Sequence, residues 1–233
     1  LFCKTFSEKI KMILPFQFFP EKHFFAVKTK MVCYKERFVS DFLTCLVFFK
    51  RRERCKMIKD SAIEKIKAVI RDVPDFPKPG IIFKDITPIL AEPKLFKDVV
   101  RLFAERHKNS NIDYVAAIEA RGFILGGALA CALNAGFIPI RKKGKLPYKT
   151  IEASYDLEYG TATIAMHIDA IKKGSNVLIV DDLLATGGTA FACASLIEQL
   201  GGKIVELDFL IELVFCKGRE KLTNYPIYVP IKF

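Results

Sequence analysis

An open, doubly wound α/β fold is what this 233-residue chain predicts, on three observations. From Met57 onward, short apolar runs alternate with stretches of helical periodicity, as in a parallel sheet with crossover helices. The run Val177 to Val180 (VLIV) is apolar without alternation, which is expected of a strand covered by helices on both faces. The hydrophobic fraction of 51% is ample for a packed core.

The elements follow in order. Asp60 and Ser61 can cap a helix carrying Ile63, Ile66, Val69 and Ile70 on one face. Pro74, Pro77 and Pro79 with Gly80 force an irregular turn. A second helix runs from about Pro93, with Leu95, Phe96, Val99, Val100 and Phe103 apolar. Strands are predicted at Tyr114 to Ile118, Phe137 to Ile140, Thr161 to Ile168, Val177 to Val180 and Ile204 to Leu210. Helical patterns fill Gly122 to Asn134 and Thr189 to Leu200.

Composition breaks near Met57. All 13 Gly lie after it, whereas 11 of the 21 Phe precede it, so residues 1–56 read as an extension foreign to the domain at 57–233, with Met57 as the natural start. The formal charge of +11 is also uneven. Residues 1–56 hold 13 Lys and Arg against 5 Asp and Glu, leaving 24 against 21 for the rest. An excess of three suits a phosphate-rich small ligand and gives no support to a nucleic-acid partner. The apolar run Phe42 to Phe49 is too short to span a bilayer, so no membrane association is expected. Seven cysteines form no CxxC pair and no zinc-ligand spacing, which suits a reducing compartment, the cytoplasm. Cys131 and Cys193 sit in helical stretches and read as small core residues.

The most informative stretch is Asn176 to Gly202. A buried strand leads to Asp181 and Asp182, a short loop follows, and a helix opens near Thr189. Ligands of open α/β sheets bind beyond the carboxyl ends of the strands, where this loop must lie. Gly187 and Gly188 permit a tight turn and close approach, and loop amides with a helix N-terminus make a phosphate site. Thr186 and Thr189 add hydroxyl donors, and two carboxylates can accept hydrogen bonds from vicinal sugar hydroxyls. Together they describe a ribose 5-phosphate site. The stretch is neither a P-loop nor a Rossmann turn, since the Lys of the one and the GxGxxG of the other are missing.

VLIVDDLLATGGTA (Val177 to Ala190) resembles the binding motif for phosphoribosyl pyrophosphate (PRPP) of type I phosphoribosyltransferases, and its LLATGGT form resembles the adenine phosphoribosyltransferases. The likeness extends over roughly 61–233. It implies the type I fold with a small N-terminal hood, a homodimer, and conversion of adenine and PRPP to AMP and pyrophosphate with Mg²⁺ bound mainly through PRPP. Ala185 to Thr189 would hold the 5-phosphate, with Asp181 and Asp182 on the ribose hydroxyls. Pro74 to Leu90 resembles the family's hood, in which Phe83 would stack on adenine and backbone groups of Ile82 and Lys84 would read its edge. IEARGF (Ile118 to Phe123) resembles the pyrophosphate loop, with Arg121 on the leaving group; Glu119-Ala120 departs mildly from the usual acid-Ser pair. Lys145 would add charge there, acting on a neighbouring subunit. ASYDLEYG (Ala153 to Gly160) resembles the mobile catalytic loop, with Glu158 managing the base proton and Tyr155 and Tyr159 covering the site. Leu213 would pack at the base pocket, supported by Glu212.

Two alternatives remain open at this point: the same fold acting on another base, or a silent PRPP-sensing regulator. The hood and the LEYG loop speak against the first. Residues 1–56 show no helix-turn-helix pattern for the second.

Overall fold

A computed structural model describes residues 60–156 and 161–233. The proposed extension at 1–56 and the catalytic-loop residues Glu158, Tyr159 and Gly160 lie outside them.

Residues 60–69 form helix α1, so Asp60 and Ser61 sit within the helix and do not precede it. Its Ile66 is fully buried, and Ile63, Val69 and Ile70 pack beside it as their spacing predicts. The proline-rich segment is more ordered than a bare turn: β1 (Arg71–Pro74) and β2 (Ile82–Asp85) pair antiparallel as a two-stranded hairpin. Asp85 ends this hood. Hydrogen bonds from the backbone and hydroxyl of Thr87, at 2.9 and 2.7 Å, hold its carboxyl below the usual range. A short helix, α2 (Thr87–Ala91), and α3 (Pro93–His107) follow.

The main sheet runs β10-β8-β7-β3-β4-β6-β5. It comprises β3 (Tyr114–Ile118), β4 (Gly136–Lys142), β5 (Thr150–Asp156), β6 (Thr161–His167), β7 (Asn176–Leu184), β8 (Lys203–Glu212) and β10 (Ile231–Lys232), with β9 (Ile227–Tyr228) beside β8. Pairing is parallel from β10 through β4 and antiparallel at β4–β6 and β6–β5. Strand β5 corrects the sequence reading, for Ala153 to Asp156 of the expected mobile loop are paired with β6.

Helices α4 (Arg121–Leu133) and α5 (Gly188–Gln199) cover opposite faces. One core contains Val177 and Ile179 with the buried face of α5; the other contains Leu178 and Val180 with Leu125 and Leu129 of α4. Successive strand residues point to opposite faces, so a strand between two helix layers must be apolar at every position. Cys193 is buried in the α5 layer, which pushes its thiol pKa up. Cys131 corrects the reading: it is exposed, on the outer side of α4.

One polar cluster interrupts the second core. His107 Nε2 lies 2.7 Å from Asp208 Oδ2, while Arg106 forks onto both carboxylate oxygens of Glu206 at 2.5 and 2.6 Å. The pairs tie the end of α3 to β8. The ligand-type atoms of His107, Glu206 and Asp208 lie within 4.8 Å of one another, but Arg106 already occupies Glu206, so the cluster is a structural ion network.

Candidate active site at the carboxyl ends of β3 and β7

Strands β3 and β7 are parallel neighbours, yet their crossovers diverge: β3 leads through α4 to β4 on one side, and β7 through α5 to β8 on the other. That divergence is the switch point of an open α/β sheet, and it opens a crevice at the carboxyl ends of the two strands. Both helices begin there, so two N-termini with unsatisfied amides meet at one edge.

The turn into α5 is made by Gly187, whose φ of 76° is left-handed. A Cβ there would collide with the carbonyl oxygen of Gly218, and a Cβ on Gly218 would collide with that of Ala185. Two bare backbones therefore press together, and the loop Ala185, Thr186, Gly187 is braced from behind. The Gly187 carbonyl then accepts from Phe191 N–H at 2.9 Å, while Gly188 and Thr189 open the helix.

Asp181 and Asp182 lie inside β7, which runs to Leu184 instead of ending at Val180. Asp182 N–H donates to Asp181 Oδ1 at 2.9 Å, and Arg121 Nε lies 2.7 Å from Asp182 Oδ2. The latter is an ion pair by distance without an aligned hydrogen bond. Burial raises the pKa of both carboxyls; the charge of Asp182 adds to the rise at Asp181, whereas Arg121 opposes it at Asp182. Gly122 matters here as well, since a Cβ on it would come within 2.7 Å of Asp181 Oδ1. Its absence lets α4 start against the acid pair.

A consequence for stability follows. A carboxyl whose folded pKa is raised costs stability as pH climbs from the ordinary carboxylate range toward the folded value. Asp181→Asn keeps the acceptor for Asp182 N–H and removes a partly buried, desolvated charge beside Asp182. It should therefore raise Tm at neutral pH by about 2–4 °C, the response of a domain this size to about 1 kcal/mol. PRPP affinity should fall at least about tenfold through loss of a charged hydrogen-bond partner. Thermal melts and calorimetric titration read both, and a lowered Tm would refute the burial argument.

The hood brings Phe83 to the same crevice. The Arg121 guanidinium carbon sits 4.5 Å over its ring, and Phe76 meets it edge-on at 5.2 Å. Arg121 thus joins the aromatic residue to the acid pair, a link its expected role on pyrophosphate did not include. Ile82 is exposed, and Lys84 Nζ pairs with Asp72 Oδ1 at 2.6 Å. Leu213 follows β8 and donates its N–H to Leu184 O at 2.9 Å. Beside it, Glu212 is buried under a bidentate contact from Arg219 at 2.8 and 2.9 Å.

Lys145 is exposed on the turn after β4. Its carbonyl accepts from Arg141 Nη1 at 3.0 Å, and Arg141 Nε also donates to Glu119 at 2.7 Å. Arg141 and the Glu119 side chain thus join the Lys145 turn to the Arg121 loop. Sequence reading named Glu119 without its partner and missed Arg141 and Gly218, because each acts through a residue about 20 to 30 positions away.

The crevice thus brings together a glycine turn at a helix N-terminus, an acid pair and an aromatic-guanidinium surface, the arrangement that the resemblance to phosphoribosyltransferases implies. In agreement, a family model for the phosphoribosyl transferase domain matches residues 85–222. An adenine phosphoribosyltransferase from Methylacidiphilum infernorum is 53% identical over 176 residues, covering 76% of this chain and 98% of that protein. The Rhodothermus marinus adenine phosphoribosyltransferase structure has a TM-score of 0.72 and 53% identity over 74% of this chain and 99% of its own. That of Saccharomyces cerevisiae, complexed with an imino-altritol bisphosphate and adenine, has a TM-score of 0.70 and 42% identity over 73% and 98%. The chain belongs to the adenine phosphoribosyltransferase family.

Proposed function

We propose that this chain transfers ribose 5-phosphate from PRPP to N9 of adenine at the β3–β7 crevice, forming AMP and pyrophosphate. The observation that carries the reading is the meeting of Phe83, Arg121 and the Asp181–Asp182 pair within one crevice. The adenine held by the Saccharomyces cerevisiae relative supports the same base here. Incubating the chain with PRPP and adenine, hypoxanthine, guanine, xanthine, uracil or orotate in parallel, and following nucleotide and pyrophosphate, tests it. AMP from adenine with the other bases unused is the expected result; turnover of another base in preference refutes it.

In the step, the bond between N9 and C1 of ribose forms as the C1–oxygen bond to pyrophosphate breaks. The electron pair leaves with pyrophosphate, and the N9 proton must go to a base. Amides of Ala185 to Thr189 anchor the 5-phosphate, and the acid pair grips the hydroxyls and favours positive charge developing on the ring. Arg121, with Lys145 from a neighbouring subunit, balances charge on the leaving group. Phe83 and Leu213 flank adenine, and backbone groups of Ile82 and Lys84 read its edge.

Mg²⁺ neutralises pyrophosphate when bound. The site fits an ion carried mainly by PRPP: Asp182 is engaged by Arg121, and Asp181 accepts a backbone N–H, so Asp181 and Asp182 would contribute at most one or two carboxylate contacts.

Glu158 takes the base proton in this scheme and Tyr159 covers the site and excludes water, whereas Tyr155, expected to share that cover, is held in β5 and packs against the core. Glu158→Ala should lower kcat by about 10²-fold, within the usual reach of positioned proton transfer, with PRPP affinity little changed. Single-turnover and binding measurements check this, and wild-type kcat in the variant removes Glu158 from the mechanism.

A homodimer is supported by an apolar patch at α4 and β4. Ile124 and Phe137 are 45% and 39% exposed, and Phe123 meets Phe137 edge-on at 5.7 Å. No helix among the described residues is long and apolar enough to cross a membrane. The free thiols of Cys131 and Cys193 are in keeping with a reducing compartment such as the cytoplasm. Residues 57–233 form the catalytic unit in this reading, and 1–56 are given no part in it.

A further inference from the structure

Phe233 lies outside every motif used above, yet it touches both walls of the base pocket. Its N–H donates to Glu212 O at 3.0 Å, and its carbonyl accepts from Val214 N–H at 3.0 Å. These bonds straddle Leu213, whose own N–H is held by Leu184 O at 2.9 Å. The backbone that presents Leu213 is therefore fixed on one side by the end of β7 and on the other by Phe233.

The ring of Phe233 serves the opposite wall. Lys84 Nζ lies 4.0 Å from its centroid and Lys67 Nζ, from α1, lies 5.1 Å away, both within cation-π range. Lys84 is largely covered, with 12% of its side chain exposed, and its ammonium is completed by Asp72 Oδ1 at 2.6 Å. The side chain of Lys84 is thus clamped between a carboxylate of β1 and an aromatic face from the far end of the chain. Its backbone, one residue beyond Phe83, is what reads the adenine edge.

We infer that Phe233 is a positioning residue for base recognition, setting the hood wall (Phe83, Lys84) against the Leu213 wall so that adenine fits between them. The inference rests on the base pocket proposed above. The ribose-phosphate turn at Ala185 to Thr189 is braced separately, by Gly218. Loss of the Phe233 ring should therefore separate the two substrates kinetically.

Steady-state kinetics of Phe233→Ala, Phe233→Tyr and Lys84→Met in the full chain test this. Phe233→Ala should raise the KM for adenine about tenfold while the KM for PRPP stays within about twofold, since a uniform binding contact to one substrate is weakened. Phe233→Tyr keeps the aromatic face and should restore the wild-type KM for adenine. Lys84→Met removes the ammonium under the ring, should raise the same KM, and should add little to Phe233→Ala in the double variant. Where Phe233→Ala does not fold, Phe233→Leu, which keeps apolar volume without the ring, takes its place. An unchanged adenine KM, an equal rise in both KM values, or no rescue by tyrosine overturns the inference. Phe83→Ala separates this from failure of the pocket itself: if that variant leaves the adenine KM unchanged, the base-site reading is at fault.

Discussion

Replacing Gly187 with valine is expected to lower kcat/KM for PRPP by about 10³-fold while leaving the sheet folded. Two costs act together. At φ 76° a β-branched residue is strained by roughly 1–3 kcal/mol, and its Cβ would drive into the Gly218 carbonyl oxygen, with the Gly218 carbonyl carbon 3.1 Å away. The obstacle is backbone, so it cannot yield by rotating a side chain. Either the loop from Ala185 to Thr189 or the segment from Leu213 to Arg219 must move. Displacing donors by about 1 Å can cost 10²-fold, and in the proposed site several amides that would hold the 5-phosphate move at once. PRPP titration with circular dichroism on the same sample checks the expectation. Near-normal PRPP affinity in a folded Gly187→Val protein would show that the phosphate binds elsewhere.

Arg121→Ala is expected to cost about 10²–10³-fold in kcat/KM, the usual range for one preorganised donor. The larger part should come from the leaving group, whose charge loses a partner. A second effect follows from the 2.7 Å approach of Arg121 to Asp182. Burial already pushes the carboxyls of Asp181 and Asp182 up, and Arg121 opposes that rise, most strongly at Asp182. Without the guanidinium the pair keeps a proton to higher pH. The acid limb of the kcat/KM profile for PRPP should therefore move to higher pH. Arg121→Lys, which keeps a charge without the planar fork, should recover the pH limb better than the rate. A lost rate with an unmoved acid limb in Arg121→Ala would show that the ion pair with Asp182 has no part in ribose binding.

These expectations draw unequally on sequence and on structure. The string from Asn176 to Gly202 carried the glycine turn and the acid pair openly, because the strand, the turn and the helix N-terminus are adjacent in the chain. Phe83, Arg121 and Leu213 were named one at a time, but nothing in their spacing says that Arg121 lies over the Phe83 ring. Ala153 to Asp156 misled for a different reason. The resemblance to the family's mobile loop covered this stretch, while antiparallel pairing with β6 holds it as a strand. Cys131 was misjudged because α4 is apolar on more than its core-facing side, so the pattern does not say which apolar residues face outward.

By itself the sequence determined the α/β alternation, the doubly covered strands and the glycine turn between β7 and α5, since each is written in neighbouring residues whose periodicity or backbone needs are local. Tertiary structure alone decided that α4 and α5 start at one crevice, that Gly218 braces Gly187, that Arg141 ties two loops through Glu119, and that Phe233 joins Lys84 to the backbone on either side of Leu213. The physical reason is that such contacts are made by packing between segments far apart in the chain, where exclusion of a Cβ or a shared charge depends on distance in space.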